Sequence, residues 1–325
     1  MRAARKCGIL LFMEQIPAPD TYLFFDIESA NSSGGVGHIC SFGYVLTDSE
    51  LSVIETDDIV MNPRSFFEER LLAKGSDCRL AYRESYFLEQ PDFTHFHERI
   101  MRLLTAPRRL PVGFAVRNDV DFIVCACMNF GLPQIDFSAY DIHFIVNRLN
   151  DDHAGLSGWI GRYGIDVSHL HAHKSCDDAM MTMLLAKKVC AVHGSTLPRL
   201  FSLYPGSLVT SRHVLQARAE REERAALQER IAALYEARCE RPRSHVFDGE
   251  YVFSFGKKRS LKEQYAVMRM VHEHGGTLLH KLRKGCVFVM EDGRRMPQWL
   301  ALERFDGVRI MYVSDVYERL GLPEP

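Results

Sequence analysis

Thr21-Tyr-Leu-Phe-Phe-Asp-Ile-Glu28 is an apolar, aromatic run with the composition of a buried strand, and it ends in a Ser/Asn/Gly-rich turn over residues 29–37. Side chains alternate faces along a strand, so Asp26 and Glu28 project one way while Phe25 and Ile27 enter the opposite layer. Two carboxylates at that spacing repel and desolvate each other, and a hard divalent cation is the usual remedy. A strand end whose acids face water has the same pattern, so the pair needs support from elsewhere in the chain.

That support comes from two later segments. In Leu110-Pro-Val-Gly-Phe-Ala-Val-Arg-Asn-Asp119-Val-Asp, a short apolar strand leads into helical periodicity through Val120, Ile123, Val124 and Cys127. An Asp at such a junction is often only an N-cap. The helix register nevertheless puts Asp119, rather than Asp121, beside the end of the strand, within reach of the first pair. In His171-Ala-His173-Lys-Ser-Cys-Asp-Asp178-Ala-Met, a polar loop runs into an apolar helix reaching about Val192, with Asp178 on its first turns. A loop histidine titrates near neutrality and can accept a proton from a metal-bound water, which makes His173 the candidate base.

With these residues in order, 19–195 resembles the DEDDh exonucleases, the group that includes the proofreading subunits of replicative polymerases. The first motif is matched by Phe25-Asp26-Ile27-Glu28, the second by Gly113-x5-Asp119-x2-Phe-Ile, and the third by His173-x4-Asp178-Ala179. Val60-Met-Asn-Pro63, Tyr140-Asp-Ile142 and Leu156-Ser-Gly-Trp-Ile-Gly-Arg-Tyr-Gly164 add to it. The resemblance implies that Asp26, Glu28, Asp119 and Asp178 hold two Mg²⁺ or Mn²⁺ ions about 3.5 to 4 Å apart, while His173 takes the proton of the attacking water. It also implies that Ile27, Ser29, Ala30, Asn31, Phe114 and Ala115 lie near the terminal nucleotide. Two departures fall there: Ser29-Ala30-Asn31 stands where many members begin with Thr, and Phe114-Ala115 where many have His-Asn. They bear on which nucleotide is taken rather than on the chemistry.

The implied activity is release of nucleoside monophosphates from DNA 3′ ends, single-stranded or frayed, in repair or proofreading. RNA or oligoribonucleotides form the alternative substrate class, and a non-catalytic protein that binds nucleic-acid ends is the alternative outside enzymes.

Strands near 21–27, 38–47 and 51–61 read as a meander, after which helices near 93–105, 119–130, 156–163 and 177–193 alternate with strands near 110–114 and 137–142. A sheet with helices packed on it follows from that order. The resemblance implies an α/β, ribonuclease H-like domain with a mixed five-stranded sheet, over 19–200.

The 325-residue chain, 46% hydrophobic with a formal net charge of −2, has room for more than one unit. Residues 201–212 read as a loop leading to a charged, solvated helix with a thin apolar stripe at Leu227, Ile231 and Leu234, so 201–245 is a linker. The segment 246–325 then reads β-α-β-β-α-β-α, with a helix at 297–305 and Gly275-Gly276 ending the first helix. This order resembles a BRCT domain, with Tyr317 near the place of a common Trp, and implies a polymerase or other protein partner. Ser254, Lys257, Lys258 and Arg259 are the candidate anion contact. Residues 1–210 carry 19 basic and 25 acidic side chains, against 21 and 17 over 211–325, so the acidic part needs cations to face a polyanion.

Nine cysteines without a Cys-x-x-Cys pattern point to reduced thiols and a cytoplasmic location. No stretch has the length of a membrane span. Residues 1–18 read as disordered, or as preceding a true start at Met13.

Overall fold

The computed structural model describes residues 16, 18–32, 35–301 and 305–323, so the expectation for 1–18 lies almost wholly outside them. Contacts divide the chain at Ala217/Arg218 into two units.

In the first, β1 (Thr21–Ser29), β2 (Ile39–Asp48) and β3 (Val53–Val60) form an antiparallel meander. There follow α1 (Glu69–Leu72), α2 (Glu84–Glu89), α3 (Phe93–Thr105), β4 (Arg109–Gly113), α4 (Arg117–Asn129), β5 (Ser138–Asp141), α5 (Ile142–Asn150), α6 (Leu156–Arg162), α7 (Ser175–Val192), α8 (Leu197–Leu203) and β6 (Leu208–Thr210). The strand order is β3-β2-β1-β4-β5-β6, with β4 parallel to both β1 and β5 and the remaining pairs antiparallel. This is a mixed sheet with flanking helices.

The sheet has six strands where five are expected. Leu208–Thr210, inside the segment read as a loop, pairs with β5; three residues after a Pro-Gly turn are too few to show a period. The four-residue α1 and six-residue α2 are also short, and neither they nor α5 and α8 are among the helices that the sequence reading expects.

Alternation along β1 sorts its side chains into two cores. Leu23, Phe25 and Ile27 pack with Ile100, Leu104, Val120 and Ile123 from α3 and α4. Tyr22 and Phe24 face the other way, toward Ile145, Trp159, Leu185 and Val189 from α5, α6 and α7. Asp26 and Glu28 share this second face, where the alternating pattern puts them.

Gly43 of β2 makes the close approach of α7 possible. A Cβ there would lie 1.9 Å from the Cys176 nitrogen and 2.0 Å from the Ser175 carbonyl carbon, so only glycine lets the helix start rest on the sheet.

The charged helix α9 (Ser211–Glu236) runs across the division between the units. In the second unit, β7 (Gly249–Ser254), α10 (Leu261–Glu273), β8 (Gly276–Leu278), β9 (Val287–Met290), β10 (Arg309–Tyr312) and α11 (Val313–Arg319) follow. The four strands are all parallel, in the order β10-β9-β7-β8. A Ser260/Glu263 capping box starts α10 and Gly275, at φ +101°, ends it. Tyr317 is buried with Phe247, Tyr251 and Val267.

Within the span 297–305, where a helix is expected, Gln298–Ala301 form a 3-10 turn, and 302–304 lie outside the described residues. The eight cysteines among the described residues are all free thiols, and none of the described helices is long and apolar enough to cross a membrane.

Candidate active site

Three elements bring the predicted acids together, and a loop adds the histidine. β1 supplies Asp26 and Glu28, and α4 supplies Asp119 in its first turn. Because α4 packs on the far face of the sheet, Asp119 reaches over the strand end, where its Oδ1 accepts from the Ile27 N–H at 3.2 Å. α7 supplies Asp178 in its first turn, and the loop before it supplies His173.

His173 has φ +60°, a conformation that few residues with a Cβ adopt and that the surroundings must hold in place. Its N–H donates to Asp178 Oδ2 at 2.9 Å, its carbonyl accepts from the Ala81 N–H at 3.2 Å, and its Nδ1 lies 3.5 Å from Glu28 Oε1. Ligand atoms of Glu28, His173 and Asp178 all lie within 4.8 Å of one another. Asp26 and Asp119 stand outside that tight group. Asp26 lines the same cavity, and the charges of Asp119, Glu28 and Asp178 act on it.

The electrostatics are those of a site short of positive charge. Burial, then Asp119, Glu28 and Asp178, push the Asp26 carboxyl well above the usual range. Burial does the same to Asp119 against the opposing pull of the Ile27 N–H. Asp178 is raised to about 7 by burial and then by Glu28. His173 is raised to about 9, chiefly by its hydrogen bond to Glu28, so the imidazolium stands in as the nearest cation. Crowded, half-desolvated oxygen donors of this kind fit a divalent cation, whose charge would relieve all four carboxylates at once.

The cavity over these groups measures about 320 Å³. Besides Asp26, Ile27, Glu28, His173 and Asp178, it is lined by Phe114, Ala172 and the start of α6 at Gly155, Leu156, Ser157 and Gly158. Leu156, Ser157 and Gly158 belong to the supporting motif, and Gly155 lies just before it. A larger cavity of about 460 Å³ lies between α6 and α7 around Asn150, Arg162 and Lys188, but no cluster of acids lines it.

Of the residues expected near a terminal nucleotide, Ile27 and Phe114 line the cavity. Ala115, at φ +54°, donates its N–H to Asp141 Oδ1 at 2.9 Å, which holds the Phe114 turn. Ser29 is half-buried at the end of β1 and does not line the cavity. Ala30 and Asn31 point away from it. Ala30 is buried with Cys40, Phe67 and Leu71, and the Asn31 amide donates to Ser65 Oγ at 3.0 Å and to the Phe66 carbonyl. The turn after β1 is tied to the 65–68 segment, and this draws both side chains from the acids.

In the second unit two of the four candidate anion contacts, Ser254 and Arg259, are engaged within the chain. Glu291 accepts from the Gly256 N–H at 3.0 Å and from Arg259 Nε at 2.8 Å, while Arg294 donates to Ser254 Oγ at 3.2 Å.

No protein-family model matches the sequence, and no curated protein matches it. Among solved structures the chain is similar to exonuclease I, at 21% identity over 57% of this chain and 43% of that one, with a TM-score of 0.46. A zinc-bound E. coli exonuclease I complex with single-stranded DNA gives 20% identity over 57% and 42%, with a TM-score of 0.47. A 3′-exonuclease that recognises the histone mRNA stem-loop gives 14% identity over 53% and 63%, with a TM-score of 0.45. The chain thus spans under half the length of those exonuclease I structures.

Proposed function

We propose that this protein is a metal-dependent 3′-to-5′ exonuclease that removes nucleoside monophosphates from DNA 3′ ends, in repair or proofreading. The observation that carries the reading is the arrival of Asp26, Glu28 and Asp178 beside His173 at one cavity of about 320 Å³, with Asp119, from a third element, bound to the Ile27 N–H between the first two. Mg²⁺ or Mn²⁺ held by the four carboxylates would acidify the attacking water and offset charge on the departing 3′ oxygen. His173, whose Nδ1 lies 3.5 Å from Glu28 Oε1, would take the proton of the attacking water. Asp119, fixed by the Ile27 N–H, holds its charge against the strand end. Phe114 and the opening turn of α6 form the walls against which the terminal base and sugar lie.

The second unit is read as a BRCT-like interaction module that recruits a polymerase or another protein. Its all-parallel four-stranded sheet, the helices α10 and α11 and the buried Tyr317 support that reading.

The test is degradation of 5′-labelled single-stranded DNA, mismatched duplex and RNA with Mg²⁺, Mn²⁺ or EDTA. Stepwise shortening of DNA, lost in EDTA and in Asp178→Ala, is the expected result. Undiminished activity of Asp178→Ala rejects the site, faster shortening of RNA reassigns the substrate, and end binding without shortening reassigns the protein as a non-catalytic binder.

A further inference from the structure

Asp58 belongs to none of the matched motifs. It lies on β3 in the same cross-strand row as Asp26, since Asp26 pairs with Gly43 and Gly43 with Asp58. Its two oxygens are both engaged. Oδ1 accepts from Ser175 Oγ at 2.6 Å, and Oδ2 accepts from the Tyr82 hydroxyl at 2.8 Å. Ser175 spends its only hydroxyl proton on Asp58, so the 2.7 Å contact with Ser41 Oγ is a donation by Ser41. Ser41 sits opposite Glu28 on the neighbouring strand.

These contacts bracket His173. On one side Tyr82 follows Ala81, whose N–H holds the His173 carbonyl. On the other, Ser175 is two residues past His173 and is the first residue of α7, which carries Asp178. Lys174, the residue capping that helix, makes no side-chain cap of its own, and the Asp58–Ser175 contact secures the helix start instead. Ser175 and Ser41 are 0% and 2% exposed, so their hydroxyls have little water to turn to if the carboxylate is removed. A left-handed residue between two tethered segments keeps its geometry only while both tethers hold.

We infer that Asp58 is a positioning residue: by accepting from Tyr82 and Ser175 together, it clamps the two chain segments on either side of His173 and so sets the imidazole and Asp178 over Glu28. This rests on the exonuclease reading above. A carboxylate at 58 that only satisfied local hydroxyls would affect stability without affecting turnover.

The experiment compares wild type, Asp58→Asn, Asp58→Ala, Tyr82→Phe and Ser175→Ala on 5′-labelled single-stranded DNA with saturating Mg²⁺, with melting temperatures taken in parallel. An asparagine keeps one acceptor oxygen and so at most one tether. The expected result is a fall in kcat of about 10- to 100-fold for Asp58→Asn, with KM within about twofold of wild type. Tyr82→Phe and Ser175→Ala each lower kcat by less, and Asp58→Ala, which removes both acceptor oxygens, combined with Tyr82→Phe is scarcely worse than Asp58→Ala alone, because the Tyr82 tether is already cut. If Asp58→Asn does not fold, the two hydroxyl deletions carry the test. Unchanged kcat in the folded variants, or full additivity in the double variant, overturns the clamp. Absence of nuclease activity in the wild type would instead overturn the functional reading. The clamp is then read by NMR: the ring resonance identified by its loss in His173→Gln moves in Asp58→Asn if the clamp is real and stays put if it is not.

Discussion

The Ile27 N–H donates to Oδ1 of Asp119 at 3.2 Å, joining two residues 92 positions apart and fixing the first turn of α4 to the end of β1. The bond needs only an acceptor, whereas the proposed chemistry needs the charge. Asp119→Asn therefore separates the two: it keeps an oxygen for Ile27 and loses the carboxylate. Nuclease activity with Mg²⁺ should drop at least about 100-fold, while circular dichroism stays native. In EDTA the melting temperature should rise, on a scale of roughly 2–4 °C per kcal/mol, because a buried acid is removed from beside like charges.

Cation binding should have the opposite signature in the wild type. A ligand at 100 times its Kd that binds only the folded state adds about 2.7 kcal/mol, so Mn²⁺ or Mg²⁺ should raise the melting temperature in a concentration-dependent way. Asp178→Ala removes a carboxylate from the Glu28, His173 and Asp178 group and should flatten that response. An equal rise in both proteins would place the stabilising ion elsewhere.

Two of the raised groups, Asp178 and His173, make separable contributions to the pH dependence of the metal-free protein. Asp178 goes from 3.8 to about 7 and His173 from 6.5 to about 9, both upward. A raised group contributes stability that is fully present below its unfolded value and lost as pH rises through its folded value. The Asp178 contribution is therefore lost between about 3.8 and 7, and the His173 contribution between about 6.5 and 9. Relative to an Asp178→Asn, His173→Gln double variant, the wild type in EDTA should lose melting temperature steadily from pH 4 to pH 9.

Glu291 in the second unit has the reverse sign. Arg259 holds its carboxyl below the ordinary 4.5, so its contribution is present above that value and lost as pH falls through the lower folded one. The pair is mostly buried, at 11% and 21% side-chain exposure. Glu291→Ala should cost roughly 1–3 kcal/mol at neutral pH, read from denaturant melts, and the cost should shrink in acid.

Gly43→Ala tests the seat of α7. A Cβ 1.9 Å from the Cys176 nitrogen meets backbone that cannot rotate away, so the helix start must lift. Overpacking of that kind costs about 1–3 kcal/mol, and turnover should fall with it because Asp178 moves with the helix. Native turnover in a destabilised Gly43→Ala would separate the seat from the site.

Legibility did not follow length alone: the seven-residue α6 was readable, whereas the nine-residue α5, which starts directly at the end of β5 with no loop between them, was not. α3 occupies Phe93–Thr105 as the spacing indicates, and the strands at 21–29 and 39–48 match their apolar runs within a residue or two. The acids were legible because each sits at a strand end or a helix start, where local pattern marks the junction. Asp58 was not. Its partners are 24 and 117 positions away, and next to Asp57 on an edge strand it reads as one more solvated charge. Ala30 and Asn31 were drawn into the site by their nearness in sequence to Glu28, yet the turn at 29–31 is held by the 65–68 segment.

The parallel C-terminal sheet sets a timetable for the chain as it is made. Parallel neighbours cannot be joined by a tight hairpin, so each pairing waits for a crossover to be completed. β7 and β9 are the inner strands, and they cannot meet until Met290 has left the ribosome; β10 can add only some twenty residues later. The meander of β1, β2 and β3, by contrast, pairs between sequence neighbours and can assemble early. During synthesis the amino-terminal sheet can therefore take shape while the last strands of its successor are still untranslated, and premature termination before Arg309 would leave β9 without its outer neighbour.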